Sequence, residues 1–87
     1  MVKHIVMFKL TEKTPENMDR ATNSLRSLEG KIETLKSIEI GTDFLGSERS
    51  YDIVLIAYFE DREGLKIYGA HKNHLPVIKI MRSLCSS

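Results

Sequence analysis

The stretch Tyr51-Asp52-Ile53-Val54-Leu55-Ile56-Ala57-Tyr58-Phe59 decides the fold. From Ile53 onward it is almost unbroken apolar sequence, rich in β-branched and aromatic residues. A run of this length and composition reads as a central strand buried on both faces. Upstream, residues 35–44 alternate: Ile38, Ile40, Thr42 and Phe44 share one face, and Ser37, Glu39, Gly41 and Asp43 share the other. That is a second strand with one face in and one face wet. The polar residues 46–50 between them read as a turn. Downstream, Asp61 caps a helix that begins near Arg62, with Leu65, Ile67 and Tyr68 as its apolar residues and Gly69 as a weak point. Helical spacing continues through Leu75, Ile78, Met81 and Arg82. Pro76 must then occupy a first turn, so the helix breaks near residues 72–74.

The N-terminal part adds one strand and one helix. Val2, His4, Val6, Phe8 and Leu10 alternate with Lys3, Ile5, Met7 and Lys9, a period of two. Thr14 as cap, Pro15 at the first helical position and Glu16 in the first turn then open a helix. Its apolar stripe is Met18, Ala21, Leu25, Leu28 and Ile32, and Gly30 is expected to end it in the left-handed conformation. The order β-α-β-β-α is α+β and begins a ferredoxin-like split βαβ unit. The full unit has one more strand, and the sequence stops at Ser87. An open sheet edge there is expected to be covered by a partner subunit or to promote aggregation.

Eighty-seven residues make a single domain, residues 1–87, with a modest core. Thirteen basic residues against twelve acidic ones give a net charge of +1, which argues against broad electrostatic binding to nucleic acid or an anionic membrane. The single cysteine, Cys85, rules out an internal disulfide and a cysteine-based zinc site. There is no apolar run of membrane-spanning length and no signal-peptide core after Met1-Val2-Lys3-His4-Ile5, so the default compartment is the cytosol. In a split βαβ unit both helices cover one sheet face. The other is expected to carry His4, Val6, Phe8 and Leu10 with Ile53, Leu55, Ala57 and Phe59, several hundred Å² of apolar surface, more than a soluble monomer leaves open. A homodimer through the sheet faces follows, and Asp at Val6 or Leu55 is expected to disrupt it.

Three segments carry a resemblance: Val2-Lys3-His4-Ile5-Val6-Met7-Phe8-Lys9-Leu10, Ser50-Tyr51-Asp52-Ile53-Val54-Leu55, and Tyr68-Gly69-Ala70-His71-Lys72-Asn73-His74. Together they resemble the stress-responsive dimeric α/β barrel family over essentially the whole chain. The resemblance implies a ferredoxin-like monomer and a face-to-face homodimer. Lys72 departs from the proline that relatives carry there, and the valine-rich closing strand of the relatives has no counterpart. A plant relative with polyketide cyclase activity resembles this chain at His4, Tyr68 and His74. That resemblance gives His74 the role of general base, assisted by Tyr68. Some plant members hold magnesium through main-chain oxygens, at positions matching Glu29, Ile32 and Leu35.

Histidine titrates near neutrality and takes a proton without a cofactor, which makes His74 the best catalytic candidate; the alternative is a helix-start histidine bonded to a carbonyl. Tyr68 lies six residues earlier, on another face of a continuous helix, so the two meet only if the chain bends. His4 is either a core histidine with one hydrogen bond or a polar group lining a pocket. The expected ligand pocket comprises His4, Val6, Phe8, Leu55, Ala57 and His71, between sheet and second helix. His71 and His74 lack an evident third ligand, so no metal is expected. No cofactor is expected either. Lys66, Lys72, Lys79 and Arg82 form an acid-free basic run, read as a solvated face or an attraction for an anion. Cys85 has no organised base beside it. Two functions fit. One is a homodimeric module of uncharacterised activity that binds a small apolar or phenolic molecule. The other is a cofactor-free enzyme, polyketide cyclase-like or monooxygenase-like, with His74 as base.

Overall fold

The computed structural model describes residues 1–43 and 50–86. The elements run β1 (Val2–Phe8), α1 (Pro15–Arg26), β2 (Ser37–Thr42), β3 (Ile53–Phe59), α2 (Arg62–Ala70) and α3 (Leu75–Leu84). The caps fall where the sequence puts them. Thr14 Oγ1 accepts from the Asn17 N–H at 3.0 Å, with Pro15 opening α1, and Asp61 Oδ1 accepts from the Gly64 N–H at 2.8 Å. Helix α1 closes at Ser27, and Gly30 follows with φ +73°, a left-handed turn conformation in which a side chain would be strained. The strands are a little shorter than their apolar runs. Phe44 and residues 46–49 lie outside the described residues.

The sheet has the order β1-β3-β2 with both pairings antiparallel, so the apolar stretch is indeed the central strand. Leu55 pairs with Val6 on one side and Ile40 on the other. Both helical segments pack on one face, and the core lies between. Ala21, Leu25 and Leu28 come from above, joined by Tyr68, Val77, Met81 and Leu84; Ile53, Leu55, Ala57 and Phe59 form the floor. This is the ferredoxin-like arrangement of a split βαβ unit. After α3 the chain turns alongside the end of β1. The Thr11 N–H donates to Leu84 O at 2.9 Å, the Ser86 N–H donates to Lys9 O at 2.8 Å, and Leu10 and Cys85 form an antiparallel bridge. The expected fourth strand would run in this place.

One expectation is corrected. Val6, Ile53, Leu55, Ala57 and Phe59, with His4 and Phe8, do not form the open sheet face; they lie under the helices, and Leu10 is buried with them. The open face carries Lys3, Ile5, Met7, Val54, Ile56 and Tyr58 instead. Ile5 is 56% exposed and Met7 53%. Both faces of β1 and β3 are apolar, so the period of two says which residues travel together but not which set meets the helices. A second shift occurs in α3, whose buried stripe is Val77, Met81 and Leu84. Leu75, one of the residues at helical spacing in the sequence, is 53% exposed.

A buried carboxylate joins β1 to β3. Asp52 Oδ2 accepts from the Leu10 N–H at 2.7 Å, while Asp52 Oδ1 lies 3.3 Å from Lys13 Nζ. Lys13 also reaches Asp43 at 3.4 Å. The hydrogen bond to Asp52 raises the Lys13 pKa, so the ammonium stays charged and answers the buried anion.

Candidate functional site

Helices α2 and α3 break where Pro76 requires it, and the break builds the site. Pro76, second in α3, has no N–H to give the Lys72 carbonyl and its ring crowds that oxygen, so a continuous helix is excluded and residues 71–74 turn. The turn swings His74 back over Tyr68. Their ring centroids lie 4.1 Å apart, tilted by 33°, although the two residues would face different ways on one continuous helix. Tyr68 in turn meets Phe59 edge to face at 5.0 Å. Phe59, Tyr68 and His74 thus form one aromatic column from the sheet to the start of α3.

Beside the column lies a cavity of about 450 Å³ between the sheet and the helices, within the range of small-molecule sites. Val6, Phe8 and Leu55 give its sheet wall, Leu25 closes it from α1, and Val77, Ile78 and Met81 give the α3 wall. His4, Tyr68 and His74 bring polar atoms to it; Arg82, Cys85 and Ser86 stand where α3 ends. Of the expected pocket residues, His4, Val6, Phe8 and Leu55 line it. Ala57 lies wholly buried beneath the core rather than on the cavity wall.

His71 stands outside as well, because it caps the C-terminal end of α2 and is tied down there. Its Nδ1 accepts from the Asn73 N–H at 3.0 Å, so Nε2 carries the proton and donates to Glu33 Oε2 at 3.3 Å. Asn73 Nδ2 donates to Lys31 O at 2.8 Å. The loop after α1 therefore holds the break in shape. That role is positional, and the two histidines do not converge. Among the described residues no three His, Cys, Asp or Glu side chains gather as metal ligands. At the main-chain segment of Glu29, Ile32 and Leu35, Ile32 O accepts from the Leu35 N–H at 3.1 Å, and Glu29, Leu35 and Lys36 line one hollow.

The electrostatics favour a neutral His74. Burial is the main cause of its lowered pKa; the Gly69 carbonyl works against this, and His4 and His71 add to it. Its Nδ1 lies 3.2 Å from Gly69 O. A carbonyl can only accept, so Nδ1 bears the hydrogen and Nε2 keeps a free lone pair. Burial likewise raises the Tyr68 phenol and the Cys85 thiol, which keeps both protonated. Because the folded chain disfavours charged His74, the unfolded chain binds that proton more readily. Stability is expected to fall as pH drops from about 7 to about 5, and His74→Asn to flatten this slope. Urea midpoints measured across that window check it; an unchanged slope in the variant would place the titration elsewhere.

A family profile, the stress responsive A/B barrel domain, matches residues 2–87. The chain belongs to this family. An uncharacterized protein of Streptomyces coelicolor is 26% identical, over 99% of this chain and 92% of its own. A crystal structure from Bacteroides fragilis, described as a dimeric protein of unknown function with a ferredoxin-like fold, is 31% identical; it covers 98% of this chain and 86% of that one, with a TM-score of 0.79. The hydroxynitrile lyase of Passiflora edulis superposes with a TM-score of 0.82 over 98% of this chain and 83% of its own, at 14% identity, a likeness of fold alone. No helix among the described residues is long and apolar enough to cross a membrane.

For this member of the A/B barrel family the site residues missed from sequence are on α3. Val77 and Met81 wall the cavity, and their four-residue spacing, continued by Leu84, was the available signal. Arg82 was marked only as part of the acid-free basic run and Cys85 not at all, since the packing of α3 against the sheet is what brings them to the cavity's end.

Proposed function

We propose that this protein is a homodimeric module that holds a small, largely apolar molecule between its sheet and its helices. The cavity of about 450 Å³ carries the reading, with apolar walls and the hydrogen-bonding groups of His4, Tyr68 and His74 at one place on them. Sites of this make-up gain affinity from the walls and orientation from a few polar atoms. Support for the dimer comes from the open sheet face, where Ile5 and Met7 are exposed beside Val54 and Ile56, and from the dimeric Bacteroides relative.

A suitable probe is 4-phenylbutan-1-ol, an apolar body with one hydroxyl. Titration followed by NMR is expected to move the signals of Val6, Leu55 and Met81, with a Kd below about 1 mM. Ile78→Trp, which fills the cavity from α3, is expected to weaken binding about tenfold or more with the fold intact. Shifts confined to residues away from the cavity would overturn the reading.

The second reading is a cofactor-free enzyme with His74 as general base and Tyr68 as hydrogen-bond donor. One observation favours it: the bond to Gly69 leaves Nε2 of a neutral imidazole free to accept a proton. Such a base would speed hydrogen–deuterium exchange at the acidic carbon of a bound 1,3-diketone, and His74→Asn would abolish the acceleration. Binding without exchange leaves the first reading alone.

A further inference from the structure

Among the described residues, none that lines the cavity carries a carboxylate. The one permanently charged group among these described lining residues is Arg82, in the last turn of α3. An arginine there has two ordinary uses, an ion pair or a complement to the carbonyls that end a helix. The first is not seen here, and the second, a complement to the helix dipole, needs none of the fork's donors. Among the described residues no carboxylate pairs with Arg82. Two of the closing carbonyls are already served: Met81 O accepts from the Cys85 N–H at 2.9 Å, and Leu84 O from the Thr11 N–H at 2.9 Å. The guanidinium, five donors in a planar fork, is left at the edge of an apolar cavity.

The opposite end of the same helix carries His74. Eight residues separate it from Arg82, about 12 Å along a helix axis. Between them Val77, Ile78 and Met81 form an apolar wall. The cavity therefore has a hydrogen-bonding end, an apolar middle and a cationic end.

Resting on the ligand-binding reading above, we propose that the bound molecule is an amphipathic monocarboxylate with an apolar body roughly 10–12 Å long, its carboxylate held by Arg82 and its other end at Tyr68 and His74. A planar carboxylate matches the guanidinium fork through two parallel hydrogen bonds. The body displaces water from the walls of Val6, Leu55 and Met81. A cation of the same shape would meet Arg82 as a like charge and be rejected.

The test compares 4-phenylbutyrate with 4-phenylbutan-1-ol, which share a body and differ in charge, on the full chain. The acid is expected to bind about tenfold more tightly than the alcohol, with NMR shifts at the same cavity residues. In Arg82→Gln this preference disappears, the acid falling to about the affinity of the alcohol in the same variant; Arg82→Lys, with charge but no fork, retains part of it. Equal affinities in the unaltered protein, or a preference that survives Arg82→Gln, would overturn the assignment of Arg82 and leave the ligand cavity standing. Failure of both molecules to perturb the cavity residues would overturn both. A circular dichroism spectrum of each variant separates loss of contact from loss of fold, since Arg82 is exposed and contributes nothing to the core.

Discussion

Phe59→Ala is expected to lower stability by about 3–5 kcal/mol, the usual cost of removing a phenylalanine ring from a packed core. Phe59 is wholly buried at the end of β3, and its ring is one of the largest fully enclosed side chains of the protein. The cost has two sources. The first is the apolar surface no longer withdrawn from water, and the second the void that neighbours fill only in part. The lost edge-to-face contact with Tyr68 adds to both. For a domain of this size the thermal midpoint falls by at least about 12 °C, and some of the chain is unfolded at ambient temperature. Phe59→Leu keeps most of the volume and is expected to cost under about 1.5 kcal/mol. Because Tyr68 leans on Phe59 and His74 on Tyr68, this milder variant also reads the site: looser rings should weaken 4-phenylbutan-1-ol binding. A denaturant titration giving Phe59→Ala less than about 1.5 kcal/mol would contradict the central place of this ring.

The elements that could be read from sequence were those whose signals are local. Thr14-Pro15 and Asp61 state where helices begin because a side-chain oxygen must take an orphan N–H, and that need does not depend on the rest of the fold. Pro76 announced the break before α3 for a similar reason, as its ring excludes the preceding turn of a continuous helix. The central position of β3 followed from its apolar run. Facing was another matter. Ile5 and Met7 on one side of β1 are as apolar as Val6 and Phe8 on the other, so only the side on which α1 crosses back decides between them. Handedness of the β-α-β crossover fixes that side, and single-strand periodicity carries no trace of it. The site divides in the same way. His4, Tyr68 and His74 could be named from the sequence, and their approach depended on the bend between α2 and α3. His71 could be named with equal ease but turns away, because Glu33, 38 residues away in sequence, and the Asn73 N–H hold its ring. Asp52 gave no sign of its importance; a lone acid before a strand becomes a buried latch only once Leu10 and Lys13 arrive beside it.

The facing of β1 makes the last prediction sharp, because adjacent residues should respond in opposite ways. Ile5→Asp is expected to convert the dimer to a monomer with little change in monomer folding. Ile5 is already 56% exposed on one chain, so a charge there meets water and costs the isolated fold little. In a face-to-face pair the same charge is buried without a partner, and a two-fold interface receives it twice. Even about 2 kcal/mol at each copy gives about 4 kcal/mol in all, roughly a thousandfold weaker association. Val6→Asp places its charge between sheet and helices, beside Leu55 and the cavity. Its expected effect is a loss of stability of about 3 kcal/mol with the open face unaltered, so whatever folds still pairs. Sedimentation of the unaltered protein should give twice the 10.0 kDa of one chain, and Ile5→Asp should give that mass alone. Met7→Asp, 53% exposed on the same face, should behave as Ile5→Asp does. A dimer that survives both substitutions would move the interface away from β1.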